Sequence, residues 1–124
     1  LLISDEVLSF RVAYDGALTA FGVAPDLVSL GKIIGGGFPT GAVAGSRRVM
    51  SVFDHTGECR VHHGGTFNAN PVTTTAGLET MRRMTREAYQ RLNTLGDLIR
   101  ERLTRMLADA GSGGQVCGRG SLFL

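Results

Sequence analysis

Leu27-Val28-Ser29-Leu30-Gly31-Lys32-Ile33-Ile34-Gly35-Gly36-Gly37 joins an apolar run to a lysine wrapped in glycines. The run Leu27 to Leu30 reads as a short strand buried on both faces, the kind that parallel sheets use. Lys32 is the only lysine of the chain; the other twelve of its thirteen basic residues are arginines. Guanidinium stays protonated, so arginine cannot stand in where chemistry needs a neutral, nucleophilic amine. A solitary lysine at a strand end is therefore a candidate for covalent chemistry. The alternative open at this point is a chance survivor in an arginine-rich composition.

Upstream, Leu1 to Ser4 reads as a second buried strand, ended by Asp5-Glu6. Val12 to Phe21 is compatible with a short helix that Gly22 stops, and Pro25-Asp26 make a turn. Strand, helix, strand implies a right-handed parallel crossover. Downstream, Gly35 to Pro39 form a turn into Gly41–Gly45, a third strand that so short a connection makes antiparallel. Ser46 can cap a short helix carrying Val49, Met50 and Phe53. Residues 54 to 69 are loop-like. Asn70-Pro71 is a strong helix start. The helical pattern runs to about Ala110, weakened by Gly77 and Gly96, with a break near Thr85-Arg86. Leu92, Leu95, Ile99, Leu103 and Met106 make an apolar stripe that reads as packing. Gly111 to Gly114 is a flexible break, after which a new element begins.

The chain of 124 residues is at most one ordinary domain. Both ends, Leu1-Leu2-Ile3 and Ser121-Leu122-Phe123-Leu124, look like strands severed from a larger sheet; a compact, trimmed unit is the alternative. A net charge of +2 is too small to imply nucleic acid. The arginines from Arg82 to Arg105 alternate with Glu87, Asp97 and Glu101, as on a solvated helix face. Cys59 and Cys117, far apart and outside any CxxC, fit a reducing, cytoplasmic setting and read as ordinary thiols. No apolar stretch reaches the length of a membrane span. His55, His62 and His63 lack supporting carboxylates or thiols, so no metal site is expected. A P-loop is excluded by order, since its glycines precede the lysine and a Ser or Thr follows it.

Asp5 and Lys32 each follow a strand directly. Ligands of open α/β sheets bind at the carboxyl ends of parallel strands, so both side chains approach one crevice. An amine and a carboxylate held there suit pyridoxal phosphate: the amine bonds the aldehyde, and the carboxylate pairs with the ring nitrogen. The competing reading is an Asp–Lys ion pair that only stabilises the crevice.

Together with these residues, the segments Leu2 to Val7, Phe10-Arg11, Gly22 to Leu27, Leu30 to Pro39, Gly41-Ala42 and Gly65 to Pro71 resemble class III pyridoxal-phosphate-dependent aminotransferases. The likeness is to the glutamate-1-semialdehyde aminomutase branch and its aminotransferase relatives. It runs in order along nearly the whole chain, and the ordered set Asp-Glu-Val, Gly-Lys and Gly-Thr…Asn-Pro is highly specific.

The resemblance implies an α/β fold: part of a fold-type I large domain, with a mostly parallel sheet, one antiparallel strand and a three-layer α/β/α parent. Residues 1–110 would belong to that pyridoxal-phosphate-binding domain, including its long connecting helix. Residues 111–124 would open a C-terminal small domain. It further implies that Lys32 is the Schiff-base lysine and that Asp5 partners the pyridine nitrogen. Val7 would pack on one face of the cofactor ring, although a plain core valine is the alternative. Thr66 would reach the cofactor phosphate from the neighbouring subunit of a homodimer, where alone it would read as a turn residue. The implied reaction is transamination between a small-molecule amino donor and an oxo acceptor.

Two departures stand against mutase activity: Ser9 abuts Phe10 where the mutase pattern has an intervening glycine, and Gly-Thr-Phe-Asn-Ala-Asn-Pro replaces Gly-Thr-Leu-Ser-Gly-Asn-Pro. Both favour transfer between molecules. The mutase reaction and other pyridoxal-phosphate reactions on this scaffold stay open. The family's earlier phosphate loop and ring-stacking aromatic fall outside this stretch, so the isolated chain is expected to be inactive; a non-catalytic truncated remnant is the alternative from another class.

Overall fold

A computed structural model describes residues 1–57 and 61–124. Cys59 lies outside the described residues. A three-stranded sheet has β1 (Ile3–Asp5) and β3 (Gly41–Gly45) on either side of β2 (Leu27–Gly31). β1 runs parallel to β2, with Asp5 opposite Ser29; β3 runs antiparallel, with Gly41 opposite Gly31. The expected order and directions of all three strands are therefore met. The burial expected of the first two is not: Ile3 is 64% exposed and Leu27 to Leu30 are only half-buried, because no layer within the described residues covers those faces.

The single helix expected over Val12 to Phe21 is instead two 3-10 turns, Ser9–Val12 and Leu18–Phe21. Gly16 between them has φ +88, a left-handed conformation that interrupts any continuous helix. Glu6 then takes the freed donors. Its carboxylate, 3% exposed, accepts from the N–H groups of Ala17 (3.1 Å) and Leu18 (2.9 Å) and from the hydroxyls of Ser9 (2.6 Å) and Ser4 (3.4 Å). A buried carboxylate thus holds the crossover together. Burial alone would raise its pKa; the bonds from Ser9, Leu18, Ala17 and Ser4 outweigh burial and bring it below the ordinary 4.5.

That direction makes a pH prediction. The unfolded chain takes up this proton at higher pH than the folded one. The stabilisation is therefore complete above pH 4.5 and lost as pH falls through the lower folded value. Glu6→Gln sets an amide N–H against existing donors and should cost about 1–3 kcal/mol near neutrality. Melting curves of the two proteins should converge in acid; a constant gap across pH would discard this role.

The remaining helices follow their caps. Ser46 accepts from Val49 N–H at the start of α1 (Arg47–Met50). Asn70 accepts from the N–H groups of Val72 and Thr73 at the start of α2 (Pro71–Arg83), and Pro71 needs no donor there. Met84 leaves helical geometry with ψ 66, and Thr85 caps α3 (Arg86–Asp109), which is the break the sequence suggests. Gly77 proves to be a seat rather than a weakness. A Cβ there would collide with the Ile34 carbonyl oxygen, and one on Gly36, itself at φ +60, would collide with that of Ala76. The absence of both lets α2 lie directly on the 3-10 turn Lys32–Gly35.

After α3, β4 (Gly118–Arg119) and β5 (Leu122–Phe123) form a hairpin that folds back onto that helix. Asn93 joins the two ends of the chain: its amide donates to Val12 O (2.6 Å) and accepts from Ser121 N–H (3.1 Å). Tyr89, 3% exposed, packs edge-to-face on Tyr14, which also carries the Arg86 guanidinium 4.4 Å above its ring. The apolar stripe of α3 departs from expectation, for Leu95 and Met106 are more than half exposed and Ile99 and Leu103 are 38% exposed.

Candidate active site

The carboxyl ends of β1 and β2 point the same way because the pair is parallel, and they carry Asp5 and Lys32. Asp5 is the last residue of β1. Its Oδ1 accepts from Val7 N–H (3.0 Å) and from the Ser29 hydroxyl (2.9 Å). Its Oδ2 has no partner among the described residues. The Val7 N–H, then the Ser29 hydroxyl, lower the Asp5 pKa; slight burial opposes them and the Lys32 charge assists. Asp5 is thus a fixed anion with one oxygen free.

Lys32 directly follows β2 and opens the 3-10 turn Lys32–Gly35. Its φ is +50, left-handed backbone that a residue with a Cβ adopts at a cost of about 1–3 kcal/mol. Only Ala69 among the other described non-glycine residues shares this sign. The strain is held by the seat of α2 on the turn. Lys32 and Asp5 are both exposed and form no salt bridge among the described residues. The contact that the ion-pair reading needs is thus not formed among the described residues, and the Lys32 charge is the last of the influences on Asp5.

Val7 is half-buried, with its side chain against Gly31. A Cβ on Gly31 would stand 3.3 Å from Val7 Cγ1 and 3.4 Å from Thr40 O, so the strand end before Lys32 is closely packed by Val7. Val7, Lys32, Arg11 and the Gly37–Thr40 segment line one cleft of about 780 Å³.

Thr66 is not part of that cleft. It is exposed on the Gly65–Ala69 turn, which Asn68 N–H closes onto Gly65 O (3.0 Å), and the adjoining Phe67 is 81% exposed. The structure thus brings Lys32, Asp5 and Val7 together and sets Thr66 apart, facing outward.

Ser29 escapes a reading of the sequence, although the signal is present: it is the single polar residue of Leu27-Val28-Ser29-Leu30, opposite Asp5 in register. Glu6 escapes it too, since a second acid beside Asp5 gives no sign of being the buried one. His55 and His62 stack on each other, 6.3 Å between centroids, and no group of three metal-ligating side chains occurs among the described residues.

The aminotransferase class-III family model matches residues 1–124. The chain belongs to the class-III aminotransferase family. It is 46% identical to a glutamate-1-semialdehyde 2,1-aminomutase of Methanothermobacter thermautotrophicus, over 99% of this chain and 29% of that protein. It is 57% identical to an omega-transaminase of Sphaerobacter thermophilus, with a TM-score of 0.91 over 98% of this chain and 28% of that one. A transaminase solved with pyridoxal phosphate bound shares 45% identity and a TM-score of 0.92, over 98% and 29%. The chain thus spans under a third of the length of these relatives, and its mixed sheet is a partial version of their α/β fold.

Class-III aminotransferases are pyridoxal-phosphate enzymes, and the residues present fit that group. Among the described residues one Asp5 oxygen is anchored and the other has no partner, the Lys32 amine has no ion pair, and the apolar Val7 packs against Gly31 at the strand end. No helix among the described residues is long and apolar enough to cross a membrane.

Proposed function

We propose that this chain carries the lysine and the carboxylate of a pyridoxal-phosphate enzyme that moves an amino group from a small-molecule donor to an oxo acceptor. The observation that carries the reading is Lys32 itself. The sole lysine occupies strained backbone at the end of the central strand, beside an anionic carboxylate, in a class-III aminotransferase. Strain of this kind persists where surrounding structure over-determines it, and it clusters at functional sites.

Bound there, pyridoxal phosphate supplies an electron sink for the pair left behind when a substrate C–H bond breaks. Asp5, through Oδ2, would hold a negative charge for the ring nitrogen, and Val7 would support one ring face. Lys32 Nζ would hold the cofactor through its aldehyde and, once free, would carry the proton that leaves the substrate carbon. Identity to an omega-transaminase, together with the departures at Ser9-Phe10 and Gly65–Pro71, favours transfer between molecules over the mutase reaction. The 46% identity to an aminomutase keeps that reaction as the second reading. Residues 1–110 are assigned to the large domain and 111–124 to the start of the small one, supported by the break after α3. The free Cys117 thiol supports a reducing, cytoplasmic setting.

The test is covalent trapping. Full-length protein incubated with pyridoxal phosphate and reduced with borohydride should carry the label on the peptide containing Lys32. A label on any other peptide removes the assignment.

Thr66 is assigned to the cofactor phosphate of the neighbouring subunit in a homodimer. Its exposed position, a hydroxyl without a partner among the described residues and the exposed Phe67 beside it support that reading. Under two-fold symmetry the loop recurs at both sites. Mixing Lys32→Ala with Thr66→Ala protein under subunit exchange should restore activity, since each mixed dimer has one site with both residues intact. If exchange is demonstrated and activity stays at the level of the single variants, Thr66 does not act across an interface.

A further inference from the structure

We propose that Glu6 is a positioning residue for Asp5, aiming its second carboxylate oxygen through the peptide that joins Glu6 to Val7. This rests on the reading of Asp5 given above. β1 ends at Asp5, and the ladder to β2 goes one bond further, from Glu6 N–H to Ser29 O at 2.9 Å. Successive side chains of an extended chain point to opposite faces. Asp5 accordingly stands exposed beside the Ser29 hydroxyl, while Glu6 is 3% exposed within the crossover.

The Glu6–Val7 peptide links the two acids. Its N–H donates to Asp5 Oδ1 (3.0 Å), and its carbonyl accepts from Phe10 N–H (3.1 Å). A peptide unit is planar, so the backbone angle at Glu6 sets where the Val7 N–H points, and with it where Asp5 Oδ2 is aimed. The Glu6 side chain fixes that angle. Each of its oxygens accepts one backbone N–H, Oε2 from Ala17 and Oε1 from Leu18. The Ser9 hydroxyl adds a bond of 2.6 Å to Oε2, in the short range of charge-assisted bonds, which are roughly twice as strong as neutral ones. Glu6 has no ion pair among the described residues, so these fixed donors alone determine its place. The crossover is thus tied to the strand end at one residue, next to the carboxylate that has to meet a ring nitrogen. A group supported in this way loses its aim when the support loosens, before the fold is lost.

The experiment uses full-length protein. Glu6→Gln sets an amide NH2 against the N–H of Ala17 or of Leu18, whichever way it lies. It should lower kcat about 10- to 100-fold, the upper figure being that of a misplacement of about 1 Å, and leave KM within about threefold. Ser9→Ala removes one bond and keeps both N–H contacts. It should lower kcat about three- to tenfold, and it serves if the Gln variant does not fold. Nuclear magnetic resonance of pyridoxal phosphate labelled at the ring nitrogen should show the signal of both variants moved from wild type towards Asp5→Asn. Added to Asp5→Asn, Glu6→Gln should lower kcat less than about threefold further, because the charge it aims is already gone. Its loss of melting temperature should be the same in both backgrounds.

Where Asp5→Asn shifts the nitrogen signal, a wild-type signal in both Glu6→Gln and Ser9→Ala would overturn the inference. So would a full further loss of kcat on top of Asp5→Asn, which is what a role in stability alone produces. Hydrogen exchange in the apoprotein separates this inference from the reading of Asp5. The Val7 amide should exchange about three- to tenfold faster in Ser9→Ala than in wild type. An Asp5→Asn protein with native turnover and spectrum removes the reading of Asp5; faster Val7 exchange in Ser9→Ala then still upholds Glu6 as the support of that side chain. Unchanged Val7 exchange beside an inactive Asp5→Asn overturns this inference alone.

Discussion

Lys32→Arg is expected to abolish turnover as completely as Lys32→Ala. The amine must serve as nucleophile and then as proton carrier. Guanidinium does neither, being permanently charged and too long for the same reach. Proton transfer by a placed side chain alone contributes roughly 100- to 10,000-fold, so the combined loss should exceed on the order of 10,000-fold. The visible band of the bound cofactor should disappear in both variants. Lys32→Gly separates chemistry from strain. At φ +50 a glycine escapes the steric cost that lysine bears. That variant should be inactive yet melt no lower than wild type without cofactor. An arginine variant within tenfold of wild-type turnover would show that Lys32 is not the nucleophile, and a glycine variant that melts lower would show that Lys32 is not a strained residue.

That strain marks the boundary of what the sequence makes legible. Strand order, the helix starts at Ser46 and Asn70, and the break near Thr85 are local chemistry, written in caps, turns and apolar runs. The pairing of Asp5 with Lys32 follows from topology, since parallel strands deliver their ends to one side. The glycine seat of α2 is not legible, because Gly77 meets Ile34 only after the chain has turned back across 43 residues of sequence, counted from the two residue numbers. Nor is the replacement of the Val12–Phe21 helix by two turns. Local propensity there loses to Glu6, an acid eleven and twelve residues earlier that takes the N–H groups of Ala17 and Leu18. The exposed stripe on α3 has the same origin. Periodicity tells which face is apolar, not what covers it. Ser29 is hidden because it is a small polar residue whose partner lies on another strand.

Asp5→Asn should leave the fold and the cofactor pocket in place while removing the charge that the site is built to keep. The wild-type carboxylate spends Oδ1 on Val7 N–H and the Ser29 hydroxyl. An asparagine accepts those same two bonds with its carbonyl oxygen. Its NH2 then occupies the Oδ2 position. There it presents a donor to a protonated ring nitrogen, which is also a donor, so the ring binds in its neutral form and loses its strength as an electron sink. Removing one preorganised electrostatic partner of a transition state costs about 100- to 1,000-fold in kcat. The loss should appear in kcat, with a shift in the cofactor's absorption, and with weaker cofactor binding as the lesser effect. The pH profile adds a second readout. Bonds from Val7 and Ser29 keep Asp5 charged below its ordinary 3.8, so wild-type activity should not fail in mild acid through this group. Ser29→Ala removes the second of those bonds and should move the acid limit upward. Near-native turnover in Asp5→Asn, with an unaltered cofactor spectrum, would mean that Oδ2 faces solvent rather than the ring nitrogen.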